Sequence, residues 1–272
     1  MSLNLFIKEL KSNLKGSIIL SLSVALYIAF SLSIYSVMSN NLAKVSDLYS
    51  TIPESMRVAF NFNPNQWNNI LGFYTTYFVY YVPIIAGCYS IILGTKLLSK
   101  EEQNKTTEFL LSRPISREQI VTSKLLSLIV HVLVINLFAF LVALFSCGIV
   151  SDWDFSIQSL IILHTYGFLM CVFFGVLGFF ITVLMKRAKA IIGIGIGIVL
   201  GTYLFDMMIR ISDRVQFLLY LTPFKYLDLN ILSEDYGFEA WRLLFFLGAS
   251  GILILFSYMF YRKKRCFHLM VL

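Results

Sequence analysis

Residues 125–149 read LLSLIVHVLVINLFAFLVALFSCGI, an unbroken run without Asp, Glu, Lys or Arg. Crossing the hydrocarbon core of a bilayer, about 30 Å thick, takes roughly 20 consecutive apolar residues in a helix. This run is long enough, and five others share its character, at about 17–38, 73–95, 157–185, 190–209 and 242–261. The run 157–185 exceeds what the thickness requires and predicts a tilted or protruding helix. All six are continuously apolar rather than alternating. Helices, which satisfy every backbone group internally, are therefore expected in place of a barrel. Only 14% of the 272 residues are charged and 58% are hydrophobic, whereas soluble domains carry about 25% charged residues. A water-soluble domain is excluded. The expected fold is an all-α membrane protein of six transmembrane helices, a single domain over residues 1–272.

Lysine and arginine set the expected orientation. With the N-terminus inside, sixteen of the 22 basic residues fall on one side, within 8–15, 96–124, 186–189 and 262–265. The positive-inside rule then places both termini in the cytoplasm. The net charge of +7 suits anionic inner-leaflet lipid, and nucleic acid is not invoked. The first run is too long for the apolar core of a signal peptide and lacks a small-residue cleavage site, so it reads as a retained anchor. Cys88, Cys147, Cys171 and Cys266 lie in or near apolar runs without metal-ligand spacing. They read as buried free thiols, and no metal site is expected.

Residues 2–15 put Leu3, Phe6, Ile7, Leu10 and Leu14 on one helical stripe, with Lys8, Lys11 and Lys15 off it. That pattern predicts an amphipathic interfacial helix ahead of the first span. In the outer segment 39–72, Pro53 and Pro64 interrupt regular structure, and a short helix is expected near Met56–Phe60. Trp67, Trp153 and Trp241 each sit at an outer membrane edge, where an amphipathic ring is favoured. Pro83 removes a backbone hydrogen bond within the second span and predicts a kink. Tyr74, Tyr77 and Tyr81 share a face of that span and, with Asn136, are candidates to line a translocation path. Packing and interface roles would use the same residues. In the fifth span Gly193, Gly197 and Gly201 recur every four residues, a flat strip along which another helix can approach closely. Asp206 and Arg210 are spaced to pair. His164 and Asp206 lie near the outer edge, where solvation is expected, and His131 lies near the inner edge. Polar groups inside spans are functional candidates, with interhelical hydrogen bonding the ordinary alternative. The outer segment 210–241 contains VQFLLYL at 215–221, too short to span, which predicts a short, partly buried helix in the outer leaflet.

Between the second and third runs, residues 99–124 read SKEEQNKTTEFLLSRPISREQIVTSK. Lys100 through Leu111 are good helix formers with an apolar end, and Pro114 pushes Arg113 out of the α region. Ser116 followed by Gln119 is a capping-box pattern, from which a helix runs without a break into the third span. A short helix, a proline corner and a direct connection to a membrane helix make segment 99–117 a docking element for another protein.

The stretch from Leu93 to Leu126 resembles the first cytoplasmic loop of ABC-2 type exporter permeases. The matching residues are Gly94, Glu101, Glu102, Thr107, Glu108, Leu110, Leu111, Pro114, Ile115, Ser116, Arg117 and Lys124. TIPESMRVAF at 51–60 and LTPFKYLD at 221–228 resemble two outer segments of the same group, six-span permeases that include the nitrous oxide reductase maturation permease and peptide-immunity permeases. The resemblance implies a permease in a bacterial plasma membrane. It implies that the helix from Lys100 to Leu111 is a coupling helix seated on an ABC ATP-binding subunit, with two permease copies, or two related permeases, and two ATPase copies. Glu101, Glu102 and Glu108 would then face basic groups of the ATPase, Arg113 and Arg117 its acids, and Thr107, Leu110, Leu111 and Pro114 would complete the contact. ATP and Mg would be bound by that partner. No GxxxxGK[ST] sequence exists in this chain, so it carries no phosphate cradle of its own and needs no cofactor. Expected cargo is an amphipathic peptide, a lipid or a hydrophobic drug. A non-transporting scaffold, sensor or immunity subunit that docks an ATPase is the alternative. An intramembrane enzyme is disfavoured, because the spans lack paired Asp, HExxH or a Ser with a base.

Overall fold

The computed structural model describes residues 1–60, 64–103, 115–185, 188–220, 222–227 and 229–263, with the side chains at 64–65, 82–83, 102–103, 188–189 and 213 outside that description. The long helices are α1 (Leu3–Ser33), α5 (Ile70–Tyr80), α6 (Cys88–Gln103), α7 (Arg117–Val150), α8 (Ile157–Leu184), α9 (Ala188–Ile211) and α10 (Ala240–Lys263). The short helices α2 (Tyr35–Ser39), α3 (Leu42–Thr51) and α4 (Glu54–Ala59) lie in the first outer segment. Six units are long and apolar enough to cross a membrane: Leu3–Ser39, Ile70–Glu101, Arg117–Val150, Ile157–Leu184, Ala190–Ile211 and Ala240–Lys263. The protein is an all-α, six-span membrane protein.

The expected interfacial helix is not a separate element. α1 runs for 31 residues without a break between residues 15 and 17, about 46 Å of helix. Its buried face near the N-terminus is Leu5 and Glu9, while Leu3, Ile7 and Leu14 are exposed. The amphipathic stripe is thus inverted relative to a soluble helix. In a bilayer the surroundings are apolar, so the apolar stripe faces out and a polar residue turns inward if something there can pair with it. α1 lies parallel to α7 in a register fixed by reciprocal bonds. The Ser2 amide donates to Ser123 Oγ at 3.0 Å, and the Ser123 hydroxyl donates to the Ser2 carbonyl at 3.1 Å.

The second span is α5 and α6 joined through a π-helical segment, Tyr81–Gly87. This is the form taken by the irregularity predicted at Pro83, whose missing N–H frees a carbonyl one turn back. α6 then continues through Ser99 and Lys100 to Gln103, so the first residues of the expected coupling helix form the last turn of the second span. Residues 104–114 lie outside the described residues. Against α6 packs α8, and glycine decides how closely. A Cβ on Gly94 would sit 1.9 Å from the Gly175 carbonyl oxygen, and one on Gly178 would sit 2.4 Å from that of Ile91. Both obstacles are backbone, so only hydrogen fits.

At the end away from the N-terminus α7 turns into α8 through Asp152 and Trp153, both at positive φ (52° and 65°). The turn lays the Trp153 ring over Gly148, where a Cβ would come within 2.7 Å of it. Trp153 and Trp241 are exposed, as an interfacial belt requires, but Trp67 is only 3% exposed. Its indole N–H donates to Thr76 Oγ1 at 3.2 Å and its ring meets Phe73 edge-on. Trp67 is therefore a core residue, because the outer segment folds it back onto the second span. Segment 213–220 is a 3₁₀ helix whose Phe217 and Tyr220 are exposed. Val215, Leu218 and Leu219 are half-buried, as expected for this segment, and beyond it Phe224 and Leu227 are buried. Thr222 caps the turn Pro223–Tyr226, Phe224 packs on Phe174 and Tyr203, and Tyr226 stacks on Phe245.

Candidate functional site

The polar insert is bracketed by ionised side chains that tie the helices together. Lys124, one turn or two into α7, is 0% exposed, and its ammonium donates to Glu9 Oε1 at 2.9 Å and Glu101 Oε1 at 2.6 Å. A third bond goes to the carbonyl of Leu97. An ammonium has three N–H donors, and here each has an acceptor. The other oxygen of Glu9, itself 0% exposed, accepts from Lys100. Two acids and two bases make the cluster neutral, which is the condition for burying charge at tolerable cost. The four residues come from α1 (Glu9), the end of α6 (Lys100, Glu101) and the start of α7 (Lys124). The cluster therefore fastens both sides of the insert to the first span.

Glu101, expected to face an ATPase, spends its carboxylate on Lys124 within the chain. The reason is proximity: the last turn of α6 and the first turns of α7 are brought side by side by the insert that joins them. Glu102 lies at the end of α6, and its side chain is outside the described residues, as are Thr107, Glu108, Leu110, Leu111, Arg113 and Pro114. Beyond the insert, the Ser116–Gln119 capping box forms as expected. The Gln119 amide donates to Ser116 Oγ at 3.1 Å and the Ser116 amide to Gln119 Oε1 at 3.0 Å. Arg117 Nη1 donates to the Tyr261 carbonyl at 3.2 Å, and Thr122 and Tyr258 are hydrogen-bonded through their hydroxyls at 2.7 Å. These contacts link α7 to α10, so the emerging side of the insert holds the last span as well.

The tyrosine–asparagine set forms a buried cluster in place of an open face. Tyr74 OH is 2.9 Å from His164 Nε2, and Asn136 donates to the His164 carbonyl at 3.0 Å. Tyr74 and Tyr81 are buried and Tyr77 is half-buried against Phe73 and Tyr27. His164 is buried among Phe78 and Phe140, and Asp206 is buried with its carboxylate on Arg210 at 2.9 Å. The expected solvation of His164 and Asp206 does not hold. The surrounding helices and the returning outer segment cover both. Gly193, Gly197 and Gly201 sit differently: a Cβ at any of them meets nothing within 4 Å. That strip is an outward face of the protomer. Cys147 and Cys171 are buried free thiols and Cys88 is a half-buried one.

The two helices that flank the polar insert are thus tied to each other and to α1 by buried ion pairs. The family model for ABC-2 family transporter proteins matches residues 3–265. The chain belongs to the ABC-2 transporter family. None of the curated proteins matches it. As an ABC-2 family protein it is a multi-pass membrane component of a transporter. Of the four cluster residues only Glu101 was a site candidate from sequence, for contact with another chain, and Glu9 went unremarked altogether. An acid inside a stretch otherwise balanced between apolar residues and lysines was the available signal.

Proposed function

We propose that this ABC-2 permease forms the translocation unit of an exporter and is driven by a separate ATP-binding subunit docked on the segment around 99–117. The observation that carries the reading is the Glu9–Lys124–Glu101 linkage. A push on the insert reaches α1 and α6 through Lys124, and reaches α10 through Arg117 and Tyr258. Four spans thus share one base at the Lys-rich end, whose basic residues support a cytoplasmic position; the membrane in this reading is a bacterial plasma membrane. Leu110 and Leu111 supply the apolar anchor for the ATPase groove. Buried apolar anchors carry more binding energy than rim charges, which tune rate and specificity. Glu102, Glu108 and Arg113 are such rim charges. Two copies make the complete path, meeting along the outward glycine strip. The cargo class is an amphipathic peptide, a lipid or a hydrophobic drug, suited to a path walled by apolar helices.

The test is co-purification of the full chain with ABC ATP-binding subunits of the same organism, followed by ATPase and efflux measurements in nanodiscs and vesicles. Leu111→Asp is expected to abolish stimulation of the ATPase, and Lys105→Ala to leave it near wild type. Normal assembly and stimulation by Leu111→Asp would remove the docking assignment. Efflux that persists with a hydrolysis-dead ATPase would remove the exporter reading.

A further inference from the structure

Segment 39–72 does not stay at the end of the bundle. The level of the membrane edge there is marked by three contacts. The Tyr35 hydroxyl donates to the Asn68 carbonyl at 3.2 Å and lies within electrostatic reach of Cys147. Cys147 adjoins Gly148, which the exposed Trp153 ring covers. An exposed tryptophan ring is favoured at the interface, so Tyr35, Asn68 and Trp153 stand at one height near that edge. Tyr80 lies deeper. From Ile70 to Tyr80 is about 15 Å of helix, and side chains lean back toward a helix N-terminus, which leaves the Tyr80 hydroxyl about 10 Å inside the edge. There it donates to the Phe60 carbonyl at 3.1 Å, and the two rings are 6.4 Å apart. The end of α4 is therefore sunk among the spans, packed on α9. The chain returns to the edge beside α5, where a Cβ on Gly72 would sit 2.2 Å from the Gln66 carbonyl oxygen. The path is re-entrant.

Irregular backbone at membrane depth is tolerated only where protein buries it or where it lines a water-filled cavity. α4 has six residues, and each end of a helix leaves amides or carbonyls without an intrahelical partner. Ala59 is its buried residue, whereas Met56, Val58 and Phe60 are exposed. Lipid cannot solvate that exposed side, so it needs protein or water. The surroundings are polar for their depth. Asp206 and Arg210 pair on α9, Tyr80 and Tyr203 lie within electrostatic reach of Arg210, and Glu54 and Ser55 are exposed on α4 itself. A second copy laid over this face would take the Glu54 carboxylate out of water, at the cost of burying a charge. We propose that α4, the α5 face at Tyr80 and α9 from Tyr203 to Arg210 wall a water-filled vestibule with Phe60 at its floor. It opens at the end of the bundle away from the N-terminus. Water there solvates the ends of α4 and the Asp206–Arg210 pair. On the transport reading the vestibule is the end of the path opposite the insert, but its geometry belongs to this chain alone.

Thiol labelling of the full chain in nanodiscs, where both faces meet a charged methanethiosulfonate reagent, tests it. Such a reagent attacks the thiolate, which forms in water and not in hydrocarbon. The lipid-facing reference is Leu26→Cys, at a position 72% exposed on α1. It adjoins Tyr27, whose hydroxyl meets the second span at the Tyr77 carbonyl, so its depth is close to that of Tyr80. Phe60→Cys, measured above the wild-type background, is expected to react at least about tenfold faster than Leu26→Cys. Val58→Cys leaves the Phe60–Tyr80 contact intact and should react likewise, which keeps the test decisive where Phe60→Cys fails to fold. Reaction of Val58→Cys and Phe60→Cys at the Leu26→Cys rate would overturn the proposal. A disulfide between two copies through either cysteine would overturn it as well, by placing protein where the vestibule places water. Because no ATPase or cargo enters the measurement, the vestibule and the exporter reading can fail separately.

Discussion

Replacing Lys124 with methionine keeps most of the side-chain volume and removes one buried positive charge. Glu9 would retain Lys100, but the Glu101 carboxylate would lose the partner that lies 2.6 Å away, and the Leu97 carbonyl would lose its added donor. The cluster would pass from neutral to a net charge of −1 in a site where Lys124 and Glu9 have no solvent exposure. Removing one member of a buried ion pair costs about 3–5 kcal/mol, mostly because the remaining charge stays buried and uncompensated. For a domain of this size such a loss lowers Tm by about 6–20 °C. The assay is thermal unfolding of the purified chain in one detergent, monitored by tryptophan fluorescence. Lys124→Met/Glu101→Gln should recover part of the loss, because the second change neutralises the stranded acid. Lys124→Met/Lys100→Met should be worse than Lys124→Met, because it strands Glu9 as well. A Lys124→Met protein that melts within about 1 °C of wild type, a shift below the effect of ordinary surface substitutions, would refute the buried linkage and, with it, the idea that α1, α6 and α7 move as one.

Other substitutions separate the roles of the remaining features. Gly94→Ala drives a Cβ into the Gly175 carbonyl oxygen and should destabilise the protomer by about 1–3 kcal/mol or more, visible as a lower Tm. Gly197→Ala meets nothing within 4 Å and should leave Tm nearly unchanged, while Gly197→Leu should reduce self-association measured by crosslinking in membranes if the strip joins two copies. His164→Leu leaves the Tyr74 hydroxyl unpaired in the core and should cost about 1–3 kcal/mol, read by the same melting assay. Ser116→Ala removes the cap that starts α7 and should cost about 0.5–2 kcal/mol. Faster amide exchange confined to the first turn of α7 would register it.

The membrane class and span count were legible because hydropathy over 20 residues reports a bulk property that packing cannot reverse. The capping box was legible for a similar reason: Ser116 and Gln119 are three residues apart on one chain, and their bond needs no tertiary partner. The glycine contacts show where such reasoning stops. Gly193, Gly197 and Gly201 announce themselves by spacing within one helix, yet inside the protomer they touch nothing. The tight contacts are made by Gly94 on α6 with Gly175 on α8 and by Gly178 on α8 with Ile91 on α6, pairings split between two helices and invisible to the periodicity of either. Trp67 illustrates the same limit, since its place beside a span fits a belt or a core equally until the outer segment's path is known.

Glu9 carries the argument further, because its burial follows from a rule that hydropathic pattern alone inverts. Around residues 2–15 the lysines mark a polar face and the leucines an apolar one, which in water would put the leucines inside. In lipid the apolar stripe can face outward at no cost, and the inward face becomes free for polar groups, provided each finds a partner. Glu9 has two, Lys124 near the start of α7 and Lys100 at the end of α6, and Lys124 is tolerable there because Glu101 supplies the second acid. The four charges are mutually dependent. A set of mutually dependent buried charges has two consequences that a leucine core would lack. It fixes the register of α1 against α7, since a shift by one residue would strand an ion. It also makes the joint between insert and spans stiff, since separation of the helices exposes or isolates charge. On the proposed coupling, that stiffness would carry a displacement of the insert into the membrane helices.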